Sequence, residues 1–227
     1  MLLDIEGTTT PVAFVHETLF PFARAQTRAF LERRWAEPDV VKLVAQLRTE
    51  HAADGAAAPA WSDGPAGVTR YVHWLMDQDR KSIGLKALQG RVWEEGYGRG
   101  SLRGVVYEDV PRAFGRWRRQ GQRLAIFSSG SVLAQKLIFG HSTAGDLTPQ
   151  LEAFFDTTSG PKREAESYRR IAGALGVEPA AVLFLSDVVA ELDAARDAGM
   201  ATVLSVRSGE PPVTAHPAVR DFDVVLP

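Results

Sequence analysis

Two carboxylates stand two residues apart near the start of the chain, Asp4 and Glu6, in Asp-Ile-Glu-Gly-Thr-Thr-Thr-Pro directly after Leu2 and Leu3. An aspartate at the end of a buried strand is aimed at a sheet edge, where its oxygen can attack phosphorus. A glutamate two positions on can protonate the leaving oxygen and then activate water, and Gly7 lets the backbone leave the strand sharply. Three further stretches carry compatible chemistry. Ser128 and Ser129 lie in Ile-Phe-Ser-Ser-Gly-Ser, between an apolar run and a helix expected from about Val132. Helix amino ends offer unpaired N–H groups and a positive dipole end to a phosphate. Lys162, in Ser-Gly-Pro-Lys ahead of the helix that carries Tyr168, can neutralise phosphate and aspartate together. Asp187 closes Phe-Leu-Ser-Asp, with Glu191 four residues later. Its carboxylate can complete with Asp4 the small oxygen set that magnesium prefers beside water and substrate phosphate.

Each stretch has a plainer reading. Thr8, Thr9, Thr10 and the serines suit helix caps, Asp187 an N-cap, Glu191 first-turn compensation of a helix dipole, and Lys162 a solvated surface. Their joint order argues for chemistry: carboxylate pair, serine pair, lysine, aspartate, three of the four directly after a buried strand.

Short apolar runs at 2–3, 124–127, 182–185, 202–206 and 222–226 suit strands buried on both faces. Between them lie helical faces, one of Val110, Phe114 and Trp117 and another of Tyr168, Ile171, Ala172 and Leu175. Alternation of this kind predicts an α/β fold with a doubly wound parallel sheet. The stretch from about 12 to 100 has no strand-like run. Leu19, Phe22, Ala23, Phe30 and Leu31 share one helical face and Val68, Tyr71, Val72, Leu75 and Met76 another, while 52–65, rich in Ala, Gly, Pro and Asp, reads as a loop. The expectation is an inserted α-helical cap, residues 12–100, on a core of residues 1–11 and 101–227, above the strand carboxyl ends where open α/β sheets bind ligands.

The whole chain of 227 residues suits this size, and a formal net charge of -2 argues against nucleic acid and anionic membrane as main partners. The absence of cysteine excludes disulfides, thiolate nucleophiles and thiolate metal sites. No secretory signal and no membrane span is visible, so the expectation is a cytoplasmic protein.

On these residues the chain resembles the haloacid-dehalogenase superfamily of phosphotransferases. Most phosphatases of that superfamily carry Asp-x-Asp at the first motif; Glu6 departs from this and is similar to the enolase-phosphatases, or acireductone synthases. The resemblance runs through LLDIEGTTTP, AFVHETLFPF, DRKSIGLKALQG, FSSGSVLAQKLIFGHSTAGD, ESYRRIAGALG and FLSDV. It implies Asp4 as nucleophile and Mg2+ ligand, Glu6 as acid/base with a backbone-carbonyl contact to the metal, Asp187 as the remaining protein ligand, and Ser128, Ser129 and Lys162 as phosphate-binding residues. It further implies a monomer acting on a small-molecule phosphate, 5-methylthio-2,3-dioxopentyl phosphate, which is enolised and then dephosphorylated in methionine salvage. The base for enolisation stays open among Glu6, His141 and Lys81, and His16, His73 and His141 read as ordinary packing or surface residues. A phosphatase of another small ester, a receiver-like phospho-acceptor module and a binder of sugar phosphates are the alternatives.

Overall fold

The computed structural model describes residues 1–226 and divides into two compact units, one of Met1–Val15 with Arg103–Pro227 and one of His16–Leu102. In chain order, β1 (Leu2–Leu3) leads through a turn to α1 (Val12–Phe14), a π-helical stretch (Val15–Leu19) and α2 (Phe20–Arg34). Then come α3 (Pro38–Asp54), α4 (Pro65–Asp77), α5 (Ile83–Gly98), α6 (Asp109–Arg119), β2 (Ala125–Phe127), α7 (Val132–Gly140), β3 (Ala153–Phe155), α8 (Ala165–Leu175), β4 (Leu183–Ser186), α9 (Val189–Asp197), β5 (Ala201–Ser205) and β6 (Ala218–Val219).

All six strands form one parallel sheet in the order β3-β2-β1-β4-β5-β6. β1 is only two residues long, yet it is central. Leu2 pairs with Ala125 and Phe184, and Leu3 with Ile126 and Leu185. Successive strand residues point to opposite faces, and both leucines are fully buried, so both faces of β1 are covered. One apolar cluster joins Leu2, Phe127 and Phe184 to Tyr168 and Ile171 of α8 and Leu192 of α9. A second is aromatic: Trp117 meets Phe114 at 6.2 Å and Phe222 at 5.6 Å, and Phe114 meets Phe139 at 6.1 Å.

The expected strands at 2–3, 124–127, 182–185 and 202–206 each match an observed strand to within a residue or so at either end. Two differences have physical causes. β3 was not expected, because its three residues are only half-buried at the sheet edge. The run 222–226 is not a strand. Phe222 and Val225 are buried because Trp117 Nε1 donates to the Val225 carbonyl (2.8 Å) and Arg116 donates to the Phe222 carbonyl (2.6 Å), which holds this run against α6 as turns. The last strand is instead β6.

Among its described residues the second unit holds helices and no strand. Tyr71 is buried and donates to Asp54 Oδ2 (2.7 Å), and Trp93 Nε1 donates to the Leu19 carbonyl (2.8 Å). The Tyr71 bond helps explain why α3 runs to Asp54, into what read as the loop 52–65. No described helix is long and apolar enough to cross a membrane.

Trp117 fills the aromatic cluster and ties the last turns to α6. Trp117→Ala is expected to cost about 3–5 kcal/mol of unfolding free energy, measured by urea titration.

Candidate active site at the carboxyl edge of the sheet

Parallel pairing carries the site residues to one edge. Asp4 follows β1, Ser128 follows β2 and Asp187 follows β4, and these three strands are neighbours. The Asp4 amide still donates to the Leu185 carbonyl (2.9 Å), so its backbone is fixed by the sheet. Beyond it the chain coils tightly: the amides of Thr8, Thr9 and Thr10 all point at the Ile5 carbonyl (3.2, 2.9 and 2.8 Å), and Thr9 Oγ1 donates to the Asp4 carbonyl (2.9 Å). Gly7 has φ +69° there. A Cβ at that position would lie 2.1 Å from Asp187 Oδ2, so the turn and the Asp187 carboxylate can approach only because residue 7 has no side chain.

Lys162 is buried, and its Nζ lies 2.6 Å from Asp4 Oδ1 and 2.6 Å from Glu191 Oε2. It also lies over the Phe127 ring at 5.7 Å. Its backbone is held too: Tyr168 OH donates to the Lys162 carbonyl (2.7 Å) and Ser167 Oγ to the Pro161 carbonyl (2.8 Å). Glu191 Oε2 accepts from Ser186 Oγ (3.0 Å), whose oxygen in turn accepts the Val188 amide (3.1 Å).

The charges explain the titration of these groups. Burial disfavours charge on Lys162, but the carboxylates of Asp4 and Glu191 outweigh it and hold the ammonium above the usual lysine range. Burial and then the Asp4 charge push Asp187 up to about 7. Burial, with Asp4 next, raises Glu191 as well. Three carboxylates therefore face one ammonium, so full ionisation leaves two negative charges uncompensated. A divalent cation has the charge that resolves this. Among the described residues no group of three or more His, Cys, Asp or Glu side chains is arranged to hold a metal alone. With Glu191 taken up by Lys162 and Ser186, Asp4 and Asp187 remain, a small donor set of the kind magnesium accepts while keeping waters.

The serine turn is only partly as expected. Ser131, not Ser128 or Ser129, caps α7, its side chain accepting from the Ala134 amide (3.3 Å). Ser128 is buried and its Oγ accepts the Gly130 amide (3.1 Å), whereas Ser129 is exposed. Gln135 Nε2 donates to the Gly130 and Phe155 carbonyls, both at 2.8 Å, and Asp156 Oδ2 accepts from the Val132 amide (3.3 Å). His141 follows α7, roughly 15 Å of helical rise from the Ser131 cap. That places it away from the turn and outside this cluster. Lys81 lies in the second unit.

A family model of haloacid dehalogenase-like hydrolases matches residues 1–199. Proteins called enolase-phosphatase E1 are similar over nearly the whole chain. That of Synechococcus elongatus is 54% identical, covering 92% of this chain and 89% of its own. That of Sorangium cellulosum is 50% identical, covering 100% and 97%. This chain belongs to the enolase-phosphatase family of the haloacid dehalogenase-like hydrolases. The crystal structure of the UTR4 protein of Saccharomyces cerevisiae matches at 35% identity with a TM-score of 0.81, covering 99% of this chain and 98% of that one. A haloacid dehalogenase-type phosphatase from Thermococcus onnurineus, 18% identical with a TM-score of 0.61, shares the fold.

In this enolase-phosphatase family member one part of the ion cluster is silent in the sequence. Glu191 looks like ordinary dipole compensation at a helix start; its partner Lys162 is 29 positions earlier, and only the β4–α9 turn brings the two together. Gln135 and Asp156 likewise carry no local signal, being contacts between α7 and β3. Lys162→Met removes the cation of this cluster, and the protein stripped of metal by a chelator is expected to lose about 3–5 kcal/mol of stability. Adding Glu191→Gln should recover part of that loss in urea unfolding; equal stability of the single and double variants would contradict the pairing.

Proposed function

We propose that this chain is a magnesium-dependent enolase-phosphatase that converts 5-methylthio-2,3-dioxopentyl phosphate into 1,2-dihydroxy-5-methylthiopent-1-en-3-one and phosphate, within methionine salvage. Identity of 54% to a protein of that activity's name supports the subfamily, and the 2.6 Å contact between Lys162 Nζ and Asp4 Oδ1 carries the mechanism.

In this reading Lys162 pairs with the Asp4 carboxylate and aims it, so that an Asp4 oxygen forms the bond to phosphorus as the bond to the enol oxygen breaks. Glu6 gives its proton to that leaving oxygen, then takes one from the water that attacks the phospho-aspartate, which releases phosphate and restores Asp4. Ser128, Ser129 and the N–H groups at the start of α7 hold the phosphoryl oxygens. Asp4, Asp187 and the Glu6 backbone carbonyl would hold Mg2+, which when bound neutralises negative charge on phosphoryl and enolate oxygens. The helical unit, taken as residues 12–100 from the sequence, serves as a cap, and the enzyme works as a cytoplasmic monomer. Glu6 is the base for enolisation that best suits this arrangement, because it already stands beside the nucleophile in sequence.

A phosphatase of another small ester would keep Asp4, Lys162 and Asp187 but would not enolise. Phosphate release from the diketone phosphate is expected to need Mg2+ and to fall to background in Asp4→Asn. A non-hydrolysable diketone phosphonate is expected to exchange a carbon-bound proton with deuterated solvent without cleavage. Brisk turnover of generic esters, with neither release nor exchange on the diketone compounds, would contradict the enolase-phosphatase assignment.

A further inference from the structure

Arg207 has no part in the chemistry above, yet it grips the turn that carries Asp4 and Glu6. Its Nε and Nη2 both donate to the Thr8 carbonyl, at 3.0 and 2.6 Å. Its Nη1 donates to Asp109 Oδ2 at 2.7 Å and, more distantly, to the Arg220 carbonyl at 3.4 Å. The guanidinium lies over the rings of Tyr107 and Phe222, each centroid 4.3 Å away. The side chains of Arg207 and Asp109 are each only 8% exposed. Asp109 Oδ2 also accepts the Phe222 amide (2.6 Å). Two neighbouring bonds hold the same turn, from Ser205 Oγ to the Gly7 carbonyl (3.3 Å) and from the Tyr107 amide to the Thr9 carbonyl (3.0 Å).

A buried ion pair is a poor device for stability alone, because desolvation of both charges consumes most of their attraction. What a guanidinium does better than any other side chain is fix a plane and two donor directions at once. Here the plane is fixed by two rings and the charge by Asp109, so the remaining fork holds one carbonyl oxygen in position. That carbonyl belongs to a turn whose internal bonds converge on Ile5 and whose sheet pairing ends at Asp4. A compact turn of this kind moves as one body unless something outside the sheet holds its far side.

We propose that Arg207 is a positioning residue for the reaction: through the Thr8 carbonyl it sets where Glu6 stands relative to the Asp4 nucleophile. The proposal rests on the reading of Glu6 as the general acid. It has a consequence that loss of folded protein does not share. Protonation of the leaving oxygen matters greatly for an alkoxide and little for a nitrophenolate, which departs without a proton. A displaced Glu6 therefore impairs the transfer of phosphate from alkyl esters to Asp4 selectively, while its later work on water is common to both esters.

The test compares kcat/KM, which covers the steps up to departure of the leaving group and not the later attack of water, on an alkyl phosphate and on p-nitrophenyl phosphate for the wild type, Arg207→Lys and Glu6→Gln, with melting temperatures alongside. Arg207→Lys keeps the charge but loses the flat fork. It is expected to lower kcat/KM on the alkyl ester roughly hundredfold, with kcat/KM on the aryl ester little changed, and Glu6→Gln is expected to show the same selectivity. If Glu6→Gln is selective but Arg207→Lys slows both esters equally, or neither, the positioning role is overturned while Glu6 keeps its role. If Glu6→Gln is itself unselective, the general-acid reading fails and the proposal fails with it. Should Arg207→Lys not fold, Asp109→Asn removes the countercharge and keeps the acceptor oxygen. It is then read by the same ratio, selective loss supporting the proposal and uniform loss overturning it.

Discussion

One buried ammonium among carboxylates is the constraint on which this protein's active edge depends. Lys162 cannot be withdrawn from water unless Asp4 and Glu191 face it, and those carboxylates cannot be crowded together unless Lys162 separates them. The arrangement is still short of positive charge, and burial first and then the Asp4 carboxylate push Asp187 above the usual carboxylate range. A site that is anionic by design attracts a divalent cation, and then the phosphate that such a cation binds. Stability and reactivity are thus set by the same few groups, and the protein keeps them in place with structure that has little freedom to yield.

That structure is mostly parallel pairing. β1 contributes two residues to the sheet, but because it lies between β2 and β4 its register fixes Asp4 against the turns carrying Ser128 and Asp187. Gly7 then permits an approach to Asp187 that any side chain would block. Lys162 comes from further along the edge, beyond β3, with Tyr168 fastening its carbonyl and α8 burying Tyr168 in the main apolar cluster. Positions as far apart as 4 and 207 are coupled through short contacts of this kind rather than through any long-range device.

Much of this was legible in the sequence where residue type and local order carry it. The apolar runs before Asp4, Ser128 and Asp187 mark strands because each is short, unbroken and closed by small or acidic residues, and the face of Val110, Phe114 and Trp117 marks α6. What stayed hidden depends on packing between distant segments. β3 is three half-buried residues at an edge, too little to announce a strand. The run 222–226 has strand-like composition, but its buried residues answer to Trp117 and Arg116 more than 100 positions away. Glu191 reads as a helix-start residue until Lys162 is seen beside it, and Arg207 carries no local signal in the sequence, its place being set by Tyr107, Asp109 and Phe222 around it.

The central claim is that Asp4, held by Lys162, becomes covalently phosphorylated. Rapid quenching during turnover, reduction with borohydride and peptide mass analysis test it directly, since a phospho-aspartate is reduced to homoserine. Homoserine at position 4, appearing only when substrate is present, is the result expected. Phosphate release at full rate with an unmodified Asp4, or with homoserine at Asp187 instead, would contradict the account.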